Sequence, residues 1–303
     1  MSSNLESDMP SDLFYIINFS CAILASIIGL IFSFTFIIVI ITNRQCHNMS
    51  NLLACNSSVA VILYLILTIF ASIYGLREDW AWNAPLCIFR AYSIVVALGT
   101  VCYSFSMQSL SRWFFVIHYK LRYLLTWRTH SIMIIFNWLI SLSIPIVPLF
   151  IDGSLGLEKE SRSCIVKTNA FAAAIFSIIM VISIPLSVST MVYCSILYHT
   201  RQSAHRILRF NQNMNKYKTI HNVKREVKLV QHILIQTACA SCGGIIFLIN
   251  VLWQALSGIP LPKHMFLLGV NLTTIGVSLM TISHFMLNTQ VKNIACRYSC
   301  DCC

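Results

Sequence analysis

The chain has 303 residues, of which 57% are apolar and only 10% charged, and it carries a formal net charge of +11. Soluble domains run nearer about 45–50% apolar and 25% charged. A water-soluble enzyme or nucleic-acid-binding domain is therefore excluded as the bulk of the molecule. The longest segment between apolar runs, 199–228, is too short for a nucleotide-binding or catalytic domain of its own.

Seven long apolar runs follow one another, at 14–42, 52–75, 87–117, 131–151, 171–198, 229–256 and 265–287. A helix needs about 20 apolar residues to cross roughly 30 Å of hydrocarbon. In lipid the backbone must satisfy its own hydrogen bonds, so runs of this length are expected as helices. The reading is an all-α membrane protein, a seven-transmembrane-helix bundle. It divides into a short N-terminus at 1–13, the bundle at 14–287 and a tail at 288–303.

Charge sets the expected orientation. The segments 43–51, 112–130, 199–228 and 288–303 share one side and hold 15 of the 21 Lys and Arg but only Glu226 and Asp301 of the ten acids. Excess Lys and Arg marks the cytoplasmic face, which puts the N-terminus outside and the C-terminus inside. The positive surplus then faces anionic lipid head groups and cytosolic partners rather than nucleic acid. The start carries Glu6, Asp8 and Asp12 with no basic residue, so an uncleaved anchor is expected rather than a cleaved signal peptide. Four Asn-x-Ser/Thr sequons, at Asn18, Asn48, Asn56 and Asn271, fall in spans or a cytoplasmic loop and read as accidental, with Asn18 near the outer membrane edge.

Within the spans the polar content is sparse. Coupled transporters and proton pumps keep ionisable groups at membrane depth. Here the spans offer Arg90, Arg112 and Glu226 at helix ends, and His232 and His284 near the cytoplasmic side. Neither HExxH nor GxSxG occurs, and no carboxylates pair inside the membrane, so no catalysis, metal or cofactor is implied. Ser104, Ser106, Gln108 and Ser109 are expected to bond neighbouring helices. Asn271, Thr273 and Thr274 either line a cavity or pack.

The order of landmarks resembles the rhodopsin-like G-protein-coupled receptors over about 29–295. TNRQCHNMSN leading into LLACNSSVAV is similar to the family's first inner loop and second helix. Trp80 stands seven residues before Cys87, matching the outer-loop Trp and helix-three Cys. Arg112, in Ser111-Arg112-Trp113, follows 25 residues after Cys87, a rise of about 37 Å that spans outer to inner surface. HYKLRYL resembles the second inner loop, Trp138 and Pro148 the fourth helix, and Pro185 and Tyr193 the fifth.

The departures are as specific. The second-helix Asp that helps bind sodium in this family aligns with Val61, and the first-helix Asn with Ser33. The sixth-helix Cys-Trp-x-Pro is reduced to Cys242-Gly243-Gly244. The seventh-helix Asn-Pro-x-x-Tyr is replaced by Met280-Thr281-Ile282-Ser283-His284. Sodium allostery and both aromatic switches are therefore not expected.

What the resemblance implies is a plasma-membrane, multi-pass receptor. It would bind an extracellular ligand of unread class and pass the signal to a heterotrimeric G protein through helix rearrangement. Coupling would fall to Arg112 with Ser111, Trp113 and Tyr193, and Glu226 would offer an ion pair in place of the missing Asp. Cys87 and Cys164, the two cysteines expected at the oxidising face, would form the family's outer disulfide. Cys296, Cys300, Cys302 and Cys303 crowd the tail. They suit membrane-anchoring S-acylation better than zinc, whose sites need two separated cysteine pairs. Helix three lacks the outer acid that amine receptors of this family carry, which argues against an amine ligand. The competing classes are a seven-helix ligand-gated channel or transporter, favoured by the opposite topology, and a receptor-like scaffold that no longer couples.

Overall fold

The computed structural model describes residues 9–77, 84–158, 161–210, 244–256, 263–288 and 290–294. The apolar runs are helical: α1 (Met9–Thr42), α2 (Met49–Leu76), α3 (Ala84–Val116), α4 (Trp127–Leu149), α5 (Phe171–Ile178 continuing through Ile184–Phe210), α6 (Gly244–Leu256) and α7 (Lys263–Leu287). All but the described part of α6 are long and apolar enough to cross a membrane. The expected sixth span began at 229, and its first half lies outside the described residues.

On α1 the side chains of Ile17, Leu24, Ile31 and Ile38, one every two turns, are 54–62% exposed. A bare apolar stripe of that length is a liability in water and normal against lipid. The opposite face of α1 packs on α2 and α7. There Gly29 admits Leu65 and Ser278 so closely that an added Cβ would lie 2.7 Å from one side chain and 2.9 Å from the other. Small residues at a helix crossing let backbones approach where no hydrophobic drive operates between helices. Ser278 uses that approach to donate to the Ala25 carbonyl at 2.8 Å.

α3 is the central element, with 61% of its apolar window buried against 28% for α4. It touches α2, α4, α5 and both strands of the hairpin described below. Of its expected cross-helix polar residues, two reach out: Ser106 donates to the Pro185 carbonyl at 2.7 Å and Gln108 to Ser57 at 2.9 Å. Ser104 and Ser109 instead bond carbonyls of their own helix, the usual retreat of a hydroxyl in an apolar bundle.

Two irregularities went unanticipated. The fourth span was expected at 131–151 as one helix. It starts at Trp127, capped by Thr126, and breaks at Ile144 and Pro145 before one more turn, Ile146–Leu149. The fifth span contains a π turn, Ile179–Ser183. Pro185 lacks an N–H, so in that register the Met180 carbonyl five residues earlier is left over. Tyr103 of α3 fills the gap, its hydroxyl donating to that carbonyl at 2.9 Å. The irregular backbone is tolerated because a neighbouring helix satisfies it.

Between α4 and α5 lies an antiparallel hairpin, β1 (Leu155–Glu158) and β2 (Ser163–Val166), paired Leu155 to Val166 and Glu158 to Ser163. Gly153 enters it at φ 72°, a left-handed turn that glycine adopts without strain. At the other end of the bundle a tail helix over 290–294 tucks Val291 among Phe36, Val39, Ile40, Cys46 and Ala54. Burial there pushes the Cys46 thiol above its ordinary range.

All four sequon asparagines have structural work. Asn271 donates to Asn18 at 2.6 Å, Asn48 caps α2, and Asn56 accepts from the Trp138 indole at 3.0 Å.

Candidate functional site

The two ends of α3 carry different chemistry. At the hairpin end, a cavity of about 160 Å³ is walled by seven elements, with Phe19, Thr68, Ile94, Ile165, Ile182, Phe247 and Thr273 contributing from α1, α2, α3, β2, α5, α6 and α7. No acidic or basic side chain lines it among the described residues. Its hydroxyls are largely spent on their own helices: Thr68 donates to the Tyr64 carbonyl at 2.9 Å and Thr273 to the Gly269 carbonyl at 2.8 Å. Each oxygen keeps lone pairs but has no free proton to offer. Of the three α7 candidates, Thr273 lines the cavity, whereas Asn271 and Thr274 are engaged in helix contacts.

The hairpin is fixed over this cavity by covalent chemistry. Cys87 of α3 and Cys164 of β2 are joined by a disulfide, with Cα atoms 5.2 Å apart. Arg90, nearly one turn further along α3, donates from Nη2 to Cys164 Sγ at 3.1 Å, and its guanidinium lies 4.1 Å from the Tyr74 ring centroid. Its Nε is buried and has no hydrogen-bond partner. Sequence reading noted Arg90 only as a helix-end charge. Its two partners come from α2 and from a loop 74 residues away, which no local pattern reveals.

At the other end of α3, Arg112 is half-buried and its Nη1 has no hydrogen-bond partner. The Tyr193 side chain of α5 faces both the Arg112 guanidinium and the Ser109 hydroxyl. Tyr193 is buried with Val192 and Ile196, and Trp113 packs against that cluster. The Trp113 ring also meets His118 at 4.3 Å between centroids. Ser111 does not turn toward Arg112. It is buried and bonded to His130 of α4 at 2.8 Å. His130 was missed by sequence reading, since a lone histidine just ahead of the apolar run at 131–151 gives no signal of its partner.

So Arg112, Trp113 and Tyr193 come together at one end of the bundle, with Ser111 held aside by α4. Glu226, Trp80, and Cys296, Cys300, Cys302 and Cys303 lie outside the described residues. Between the two ends, the position aligned with the sodium-binding Asp is apolar. Val61, Val277 and Met280 are all within 2% of full burial in one apolar cluster with Tyr64, Leu65 and Val101.

Comparison with known proteins agrees with this layout. Residues 33–293 match the family described as 7 transmembrane receptor (rhodopsin family). The 5-hydroxytryptamine receptor 1F of Mus musculus is 27% identical over 202 residues, covering 63% of this chain and 53% of that protein. Neuropeptide Y receptor type 6 of Mus musculus is 28% identical over 138 residues, or 44% of this chain and 36% of that one. The chain thus spans about half the length of the serotonin-receptor relatives it matches. Among solved structures, squid rhodopsin superposes with a TM-score of 0.79 at 15% identity, covering 93% of this chain and 84% of that one.

Proposed function

Because the chain belongs to the rhodopsin family of seven-transmembrane receptors, we propose that it is a G-protein-coupled receptor with an extracellular N-terminus and a cytoplasmic C-terminus. One observation carries the reading: a single central helix, α3, lines an apolar cavity at Ile94, Leu98 and Cys102 and presents Arg112 beside Tyr193 at its far end. A ligand that favours one packing of the cavity walls shifts the α3–α5 contact, and with it the inner face.

The inner face supports the same proposal electrostatically. Burying part of a guanidinium with an unpartnered nitrogen is costly, so Arg112 is poised to accept an acceptor-rich partner. A G-protein segment entering beside Tyr193 and Trp113 supplies carbonyls at that point. Glu226 remains a proposed resting-state partner. The tail cysteines remain proposed acylation sites that would pin the 290–294 helix to inner-leaflet lipid.

A serotonin-like cation does not suit the cavity. A buried ammonium needs a carboxylate, and none lines the walls among the described residues; the α3 wall offers Ile94. The test is a G-protein dissociation assay in cells expressing the chain against mock-transfected cells, run without added ligand. Dissociation above the mock level is expected. A surface-expressed chain at mock level across all G-protein subtypes would favour a non-coupling scaffold.

A further inference from the structure

We propose that the cavity takes a small anionic amphiphile, a single carboxylate on an aryl or short alkyl body, with the carboxylate held by Arg90. The inference rests on the receptor reading above and names the ligand class of the same cavity.

Arg90 does not itself line the cavity but stands one helical turn outward of a residue that does. Ile94, one turn inward on the same face of α3, lines the cavity. Cys164, which receives Arg90 Nη2 at 3.1 Å, sits between Ser163 and Ile165, and both line the cavity. Tyr74, under the guanidinium at 4.1 Å, lies one turn beyond the lining residue Ala71. The guanidinium thus lies beside the wall rather than in it, its contacts Tyr74 and Cys164 being near neighbours of lining residues on α2 and β2.

Its present partners do not use its charge fully. A ring face and a disulfide sulfur are weak acceptors, and among the described residues Arg90 has no carboxylate within reach. Nε is buried with no acceptor at all. A guanidinium serving only to brace the disulfide has no reason to bury a bare donor, since an unmet buried donor costs stability. A planar carboxylate meets a guanidinium edge in two parallel charge-assisted bonds.

The remainder of the ligand is set by the walls. They are apolar, and the hydroxyls of Thr68, Ser177 and Thr273 are committed to backbone carbonyls. The volume of about 160 Å³ is close to that of an apolar cavity of about 150 Å³ known to hold one benzene ring. A body of one ring or a short chain fills it. A cationic ligand is repelled by Arg90, and a neutral one leaves its charge without a counterion.

The full chain, reconstituted in phosphatidylcholine nanodiscs, is melted in the presence of straight-chain carboxylates from butyrate to decanoate, phenylacetate and phenylpropanoate. Each is paired with its primary amide, and phenethylamine is added as the cationic counterpart. At least one carboxylate should raise the melting temperature dose-dependently while its amide does not. Arg90→Gln should weaken that binding about ten- to hundredfold, Arg90→Lys should retain part of it, and Ile94→Trp should abolish it by filling the cavity. The amide contrast stands on the native chain alone, so a misfolded Arg90 variant leaves the test intact. Equal stabilisation by carboxylate and amide, tighter binding of phenethylamine, or no response to any carboxylate overturns the proposal. Ligand-free G-protein dissociation, read in parallel, reports separately on the receptor reading and does not depend on this result.

Discussion

The Ser111 hydroxyl lies 2.8 Å from Nε2 of His130, and His130 Nδ1 lies 2.9 Å from the Thr126 carbonyl. A carbonyl only accepts, so Nδ1 carries a proton; in the neutral ring Nε2 then accepts and Ser111 donates. His130 is fully buried. The residue beside Arg112 therefore ties α3 to α4 and leaves the guanidinium to Tyr193. Where a carboxylate would restrain Arg112, this chain has put a helix-to-helix bond.

Restoring a carboxylate at that point should restrain the arginine. Ser111→Asp is expected to lower ligand-free G-protein dissociation relative to the native chain at equal surface expression. Unchanged or higher basal signalling would show that Arg112 is not governed from position 111. His130→Ala removes the acceptor and opens a void, so it should cost about 1–3 kcal/mol of stability, read as a lower melting temperature.

Sodium should be without effect. The aligned carboxylate position is Val61, packed with Val277 and Met280 in an apolar cluster that offers a cation no ligand. Replacing sodium chloride with N-methylglucamine chloride should leave basal coupling unchanged. Val61→Asp should reduce surface expression rather than create sodium sensitivity, because an unpaired buried carboxylate costs several kcal/mol.

The α1 crossing should tolerate no added methyl. Gly29→Ala drives its Cβ into Leu65 and Ser278, at a cost of about 1–3 kcal/mol. Gly99→Ala is the control: its Cβ would meet Ser141 and Ile144 at 3.6–3.7 Å, ordinary contact. Melting in nanodiscs should fall for the first and hold or rise for the second. Equal melting temperatures would contradict the packing account of α1.

The tail is expected to be acylated. Val291 is fully buried against α1 and α2, and the four cysteines follow within twelve residues of it in the sequence. Acyl-exchange labelling should fall sharply when Cys296, Cys300, Cys302 and Cys303 are replaced by Ser. A signal that does not change rules lipidation at the tail out.

Much of this architecture is readable in the chain because its causes are local. Span length follows from hydrocarbon thickness, and the 25 residues from Cys87 to Arg112 follow from helical rise. The opposite charge of the loops gives each end an expected side, which the bundle's geometry does not test. The hidden features depend on partners far apart in sequence. The Tyr103–Met180 bond that supports the π turn joins residues 77 apart, and Arg90 meets Cys164 across 74. The missing carboxylate at Ser111 could be seen, but not that His130 had taken up its hydroxyl. Likewise Ile94 reads as one apolar residue among many until the fold turns it into the cavity wall.

The central claim, that Arg112 at the inner end of α3 carries coupling, is tested most directly by Arg112→Ala in a surface-normalised G-protein dissociation assay. Loss of dissociation to the mock level with near-native surface expression is the predicted result. A variant that reaches the surface and signals as strongly as the native chain would contradict it.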